Sequence, residues 1–327
     1  MDASTLAAGA SGPFELLLAL ASEAAEATGM AEATEIGPLG ASWPVGVFVT
    51  VLGLCVGSFL NVVIHRLPAG KSIVWPGSHC PSCLALIAWY DNLPVISYFV
   101  LRGRCRRCGS QFSVRYMLVE AATGLIFLGC WLAYFRLGVR DGADHLSVYA
   151  VHMVLAAALV ASGVIDYERK EIYTSVTNLA LAVGLVGSFL WPDVQRVGAF
   201  DHRLPDWTGW ARADALLLAL VGAAVGAGVI YVTRVLGSLA FRKEAMGMGD
   251  VYLMGAVGGC LGWEAAILVF FMAPFLGLAY GLWHMLRKRG SEVPYGPFLG
   301  LAAGIVMLVQ DPLVAYFRPG IEAIFFQ

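Results

Sequence analysis

The sequence predicts an all-α, polytopic membrane protein of about eight transmembrane helices with a small cytoplasmic, zinc-ribbon-like loop. Three observations predict this. Of 327 residues, 59% are hydrophobic and 13% charged, about half the charged share of an ordinary soluble domain. The apolar residues gather into runs close to the ~20 residues that cross a hydrocarbon core. Short polar stretches separate these runs and hold most of the Lys and Arg.

Taken in order, the apolar segments are roughly 45–65, 114–136, 148–166, 174–191, 213–236, 249–262, 264–286 and 295–312, the sixth being short. They divide the chain into an extracytoplasmic N-terminal extension (1–44), a first span (45–65), a cytoplasmic four-cysteine domain (66–113), a transmembrane domain (114–312) and a short C-terminal tail (313–327). The extension is acidic and has no basic stretch before its apolar residues, which argues against a standard signal peptide. Its one apolar stretch is too short to span.

Orientation follows from the basic residues. An eight-span arrangement with both termini outside puts 15 Lys and Arg on one side and 6 on the other. The richer side carries Arg66, Lys71, Arg102, Arg104, Arg106, Arg107 and Arg115 in the first loop alone. That side is expected to be cytoplasmic. The net charge of -2 says little about partners, but no basic run suggests a nucleic-acid partner, and none is expected.

Of seven cysteines, Cys55, Cys130 and Cys260 lie inside apolar runs and read as small core residues. The others form two pairs in the first loop, Cys80-Pro-Ser-Cys83 and Cys105-Arg-Arg-Cys108, with 21 residues between them. Two such knuckles turn four thiolates toward one point, the pattern of a structural zinc site. A cytoplasmic loop is kept reduced, so disulfides are disfavoured there. Four thiolates leave no open coordination position, so the metal's expected role is to fold a loop too small to be stable alone. His79 is not needed as a ligand.

Two acidic residues stand at membrane boundaries, where charge is costly. Asp166 ends the run Ala156 to Ile165, and Asp250 follows Gly247-Met-Gly249 at the start of another. The topology, derived from Lys and Arg alone, puts both at the cytoplasmic ends of their helices. Two close carboxylates share one proton, so one can act as general base on water while the other acts as general acid toward a carbonyl. Gly247 and Gly249 allow a substrate backbone, or a facing helix, to approach Asp250. Either aspartate alone would equally fit an ordinary helix-end charge.

Several blocks in order then make residues 45–310 resemble the bacterial prepilin peptidases, the type IV leader peptidases. Gly57-Ser-Phe-Leu-Asn-Val-Val-Ile-His-Arg-Leu-Pro68 is similar to that family's first-span signature. Cys80-Pro-Ser-Cys83, Tyr90-Asp-Asn-Leu-Pro94, Leu101-Arg-Gly-Arg-Cys105 and Arg115-Tyr-Met-Leu-Val-Glu120 are similar to its cytoplasmic loop. Ile165-Asp166 and Lys243-Glu-Ala-Met-Gly-Met-Gly-Asp250 are similar to its two catalytic blocks. The resemblance implies a G-x-G-D aspartic endopeptidase of the bacterial inner membrane, with Asp166 and Asp250 catalytic. It would cut the basic leader of type IV prepilins or type II secretion pseudopilins at the cytoplasmic face. It also implies N-methylation of the new N-terminus with S-adenosylmethionine. No Gly-rich loop following a strand marks a site for that donor, so no donor-binding residue is assigned from the sequence.

One departure stands out. Where the family continues to Ile-Pro-Asp after the first aspartate, this chain has Glu171-Ile-Tyr-Thr174. The competing readings are a peptidase-only relative, a presenilin or signal-peptide-peptidase relative, and a non-enzymatic assembly protein or transporter. The presenilin-like reading lacks its Pro-Ala-Leu block, since the late helix has only Ala273-Pro-Phe275. The transporter reading lacks matching broken helices in two halves.

Overall fold

The computed structural model describes residues 42–137, 145–196, 204–244, 246–286 and 294–325. The expected N-terminal extension lies almost wholly outside the described residues. The described residues form eight long helices: α1 (Trp43–Arg66), α2 (Val114–Trp131), α3 (His145–Arg169), α4 (Thr174–Leu190), α5 (Ala211–Phe241), α6 (Met248–Leu261), α7 (Trp263–Leu286) and α8 (Gly296–Phe325). They coincide with the eight apolar segments. The eighth runs beyond 312 because apolar residues resume after Asp311-Pro312. By length and composition, five described helices can cross a membrane, and the apolar helices Thr174–Leu190, Met248–Leu261 and Gly296–Gln310 are shorter.

The chemistry of the helix ends matches their positions. Ser42 precedes α1 in an extended conformation, with Pro44 in the first turn, where its missing N–H costs nothing. Ser113 caps α2 by accepting the Arg115 N–H at 3.3 Å. Gly262, with φ of 91°, ends α6 and lets α7 begin one residue later.

Small residues set how closely the helices approach, as expected where lipid supplies no hydrophobic drive between them. On α1, Gly46, Gly53 and Gly57 face Trp131, Phe127 and Glu120 of α2; a Cβ on Gly57 would stand 2.7 Å from the Glu120 Cα. Between α5 and α6 the fit is closer still. A Cβ on Gly258 would lie 2.0 Å from the Gly222 carbonyl oxygen, and one on Gly226 2.2 Å from that of Met254.

Helix α6 is the hub. Except for Met248, Gly249 and Tyr252, all its residues are buried, against α3, α4, α5, α7 and α8. Its 14 residues make it about 21 Å long at 1.5 Å per residue, shorter than a ~30 Å hydrocarbon core. Neighbouring helices enclose it, and a helix apolar all round is the expected sequence for such a place. A second, smaller cluster of Leu60, Ile64, Val119, Ala161 and Ile165 ties α1 and α2 to the end of α3. Of the three cysteines read as core, Cys130 and Cys260 are buried, whereas Cys55 is exposed on α1.

Candidate active site and metal centre

Asp166 lies in the last turns of α3, and Asp250 is the third residue of α6. Both are buried, at 8% and 6% exposure, and close enough for the charge of Asp166 to act on Asp250. The main chain fixes Asp166: the Gly296 N–H at the start of α8 donates to its Oδ2 at 2.9 Å. A Cβ on Gly296 would come within 2.7 Å of that oxygen, so the contact needs a glycine. The Gly247 N–H donates to the Asp250 carboxylate, while Asp250 Oδ1 is buried without a hydrogen-bond partner among the described residues.

The segments carrying the two aspartates meet at Gly249. A Cβ there would stand 2.5 Å from the Ile172 Cβ. Of the two uses read for the glycines, approach of a facing segment is the one observed at Gly249. Gly247 has ordinary contact with Asp250 Oδ2, 3.6 Å from a built Cβ. Ile172 stands in the stretch where the resembled family has Ile-Pro-Asp, and here it closes against the neighbouring helix without a second carboxylate. Arg234 of α5 anchors the loop ahead of Asp250, donating to the Met246 carbonyl at 2.9 Å and pairing with Glu244 at 3.2 Å.

Tyr295 and Gly296 were not singled out in the sequence. Tyr295, half-buried against the core, directly precedes Gly296. The available signal was Gly296-Pro297 opening the last apolar run, a helix-start pattern. Nothing local tied it to a residue 130 positions earlier.

The four loop cysteines also come together. The sulfurs of Cys80, Cys83, Cys105 and Cys108 all lie within 4.8 Å of one another, and Cys80 Sγ is 3.8 Å from Cys108 Sγ. A tetrahedron of Zn–S bonds near 2.3 Å sets its sulfurs ~3.8 Å apart, so the cluster fits such an ion.

Two matching turns build it. In one, Leu84 N–H donates to the Cys80 carbonyl and Cys80 N–H to that of Ala85, both at 2.9 Å; in the other, Gly109 N–H donates to Cys105 at 2.9 Å and Cys105 N–H to Ser110 at 2.8 Å. Leu84 and Gly109 take the same left-handed place, with φ of 57° and 72°. Isolated antiparallel bridges, His79 with Leu86 and Arg104 with Gln111, close each turn.

The Ser110 hydroxyl and the Cys83 N–H push Cys80 down to about 6, whereas Cys83 is held up at about 11, against the Ala85 N–H, by burial and the other thiols. A divalent cation bound here would hold all four sulfurs as thiolates. A bidentate Asp91–Arg106 pair, at 2.6–3.1 Å, ties the segment between the knuckles to the second one.

A polytopic helical membrane protein with two interacting, buried aspartates and a four-thiol cluster is the class that this architecture defines. Within that class the chain belongs to the type IV leader peptidase family. The family model of that description matches residues 153–282, and that of the bacterial peptidase A24 N-terminal domain matches residues 51–134. The chain is 39% identical to a prepilin leader peptidase/N-methyltransferase of Myxococcus xanthus, over 76% of this chain and 65% of that protein. It is 34% identical to the type 4 prepilin-like proteins leader peptide-processing enzyme of Escherichia coli O78:H11, over 81% and 94%. It is 33% identical to a prepilin leader peptidase/N-methyltransferase of Pseudomonas putida, over 81% and 91%. No solved structure matches the chain.

Proposed function

We propose that this chain is an aspartic endopeptidase of the bacterial inner membrane. It removes the basic leader of type IV prepilins or type II secretion pseudopilins and then N-methylates the new N-terminus with S-adenosylmethionine. The observation that carries the peptidase reading is the pairing of Asp166 and Asp250, buried, interacting and held by main-chain N–H groups.

In this reading the dyad shares one proton and titrates as a unit. The ionised carboxylate takes a proton from water, and the protonated one polarises the scissile carbonyl. Gly296 N–H keeps Asp166 in a fixed orientation, and the unpartnered Asp250 Oδ1 is the oxygen left to address water or substrate.

In this reading the site and the cysteine domain (66–113) lie on the cytoplasmic side, at the boundary of the substrate's hydrophobic segment; the asymmetry of basic residues supports it. Zinc, held by Cys80, Cys83, Cys105 and Cys108, folds that domain without acting on substrate. The catalytic membrane domain is 114–312.

The test is cleavage of a prepilin in membranes. Asp166→Asn and Asp250→Asn should each abolish it while the protein remains inserted, and full activity in either variant would remove the dyad from the account.

A further inference from the structure

A cavity of about 540 Å³ opens between α1, the cysteine loop and the start of α2, within the usual range for small-molecule sites, about 300–1,000 Å³. Neither Asp166 nor Asp250 lines it. Its polar wall is built. Asn61 of α1, at 4% exposure, donates through Nδ2 to the Tyr116 carbonyl at 2.9 Å, while its Oδ1 is buried with no partner among the described residues. Beside it on α2, Glu120 Oε2 accepts the Val95 N–H at 2.8 Å. Val95 takes φ of 62°, a conformation that costs a β-branched residue energy and persists where surroundings impose it. Phe59, Tyr98 and Phe112 supply the apolar and aromatic wall.

An unsatisfied acceptor costs free energy unless something fills it. Asn61 Oδ1 and the Glu120 carboxylate are both acceptors, and aromatic faces attract cations and stack on flat rings. The ligand that matches is a flat aromatic group joined to a compact cation.

We propose that this cavity binds an adenosyl sulfonium methyl donor, with Asn61 Oδ1 and the Glu120 carboxylate as its polar anchors. The proposal rests on the methyl-transfer half of the function proposed above. When bound, such a donor supplies the methyl group: the C–S electron pair stays on sulfur, the amine lone pair makes the new C–N bond, and the amine proton passes to solvent.

The helices that wall the cavity also pack against the helix carrying Asp166. Ile64, one residue before the cavity-lining His65, packs in the same cluster as Ile165, the neighbour of Asp166. An Arg115–Glu168 ion pair joins the base of α2 to the end of α3.

The experiment uses the full chain in nanodiscs, with zinc content as the check that each variant is folded. Binding of radiolabelled S-adenosylmethionine is measured by equilibrium dialysis, and methylation of cleaved substrate by mass spectrometry. Asn61→Leu and Glu120→Gln should each weaken donor binding at least tenfold. The wild type should also prefer sinefungin, whose amine is cationic, over neutral S-adenosylhomocysteine, and Glu120→Gln should lose that preference. Ultraviolet crosslinking of the labelled donor to the wild type should label peptides within residues 55–66, 91–103 or 112–120.

Unchanged donor binding in both variants, or labelling elsewhere, overturns the cavity assignment while methylation by the wild type leaves the methyl-transfer reading standing. A wild type that neither binds donor nor methylates overturns both.

Discussion

The cysteine module and the aspartate site hold their reactive groups in opposite ways. The module has little apolar core. Trp75, Leu84, Leu86 and Trp89 are exposed on it, and its shape rests on two hydrogen-bonded knuckles and an Arg–Asp clamp. The aspartates sit where three helices converge, and the packing of glycines against neighbours fixes their geometry. In the function proposed above, the first arrangement is stabilised by a metal ion, whereas the second rests on its own side chains. A loop with so few buried contacts cannot offset its ordering entropy without a staple. Close-packed helices can, and they tolerate very little added volume.

The largest effect that would break this contrast is metal removal. Structural zinc contributes about 10–16 kcal/mol in small Cys/His modules. Treatment with a strong chelator should therefore expose residues 72–112 to limited proteolysis and leave α3–α8 uncut. Cleavage throughout the chain would mean that the two regions fold as one unit.

Next in size is Gly249→Ala. Its Cβ would collide with Ile172, and overpacking of this kind costs about 1–3 kcal/mol. Because Ile172 follows the helix bearing Asp166, prepilin cleavage should fall roughly 10- to 100-fold. Shrinking the obstacle in Gly249→Ala/Ile172→Ala should restore most of the rate, a non-additivity expected of direct contact. Equal loss in the single and double variants would deny that the close approach sets the geometry.

The smallest effects concern the knuckles. Gly109→Val forces a β-branched residue to φ of 72°, at about 1–2 kcal/mol, and should lower metal affinity in a chelator competition several-fold. Leu84→Gly, at the matching place in the other knuckle, should lower it little or not at all. Equal sensitivity of the two would show that the turns are not equivalent.

Much of this was legible in the sequence, for identifiable reasons. Apolar runs are chemically distinct, so each of the eight segments falls on a helix, five of them long enough to cross a membrane. The C-x-x-C spacing predicts a knuckle from local chain geometry alone, and the four sulfurs do converge. Basic-residue asymmetry put Asp166 and Asp250 at the same depth, and the structure brings them into interaction.

What escaped was contact between distant segments. The Gly296–Asp166 hydrogen bond, the Arg234–Met246 anchor and the cavity wall from Asn61 and Glu120 each depend on tertiary approach, which no short pattern encodes. Cys55 was misread because hydropathy reports an apolar run and not which face of the helix is enclosed. The replacement of Pro-Asp after Asp166 was visible, but its consequence, Ile172 seated against Gly249, was not.

The central claim is that the two aspartates act as one catalytic unit. Comparing cleavage rates of Asp166→Asn, Asp250→Asn and the double variant tests it most directly, because groups acting together are lost together. The account predicts that the double variant is no slower than the slower single one. Losses that multiply in the double variant would contradict it.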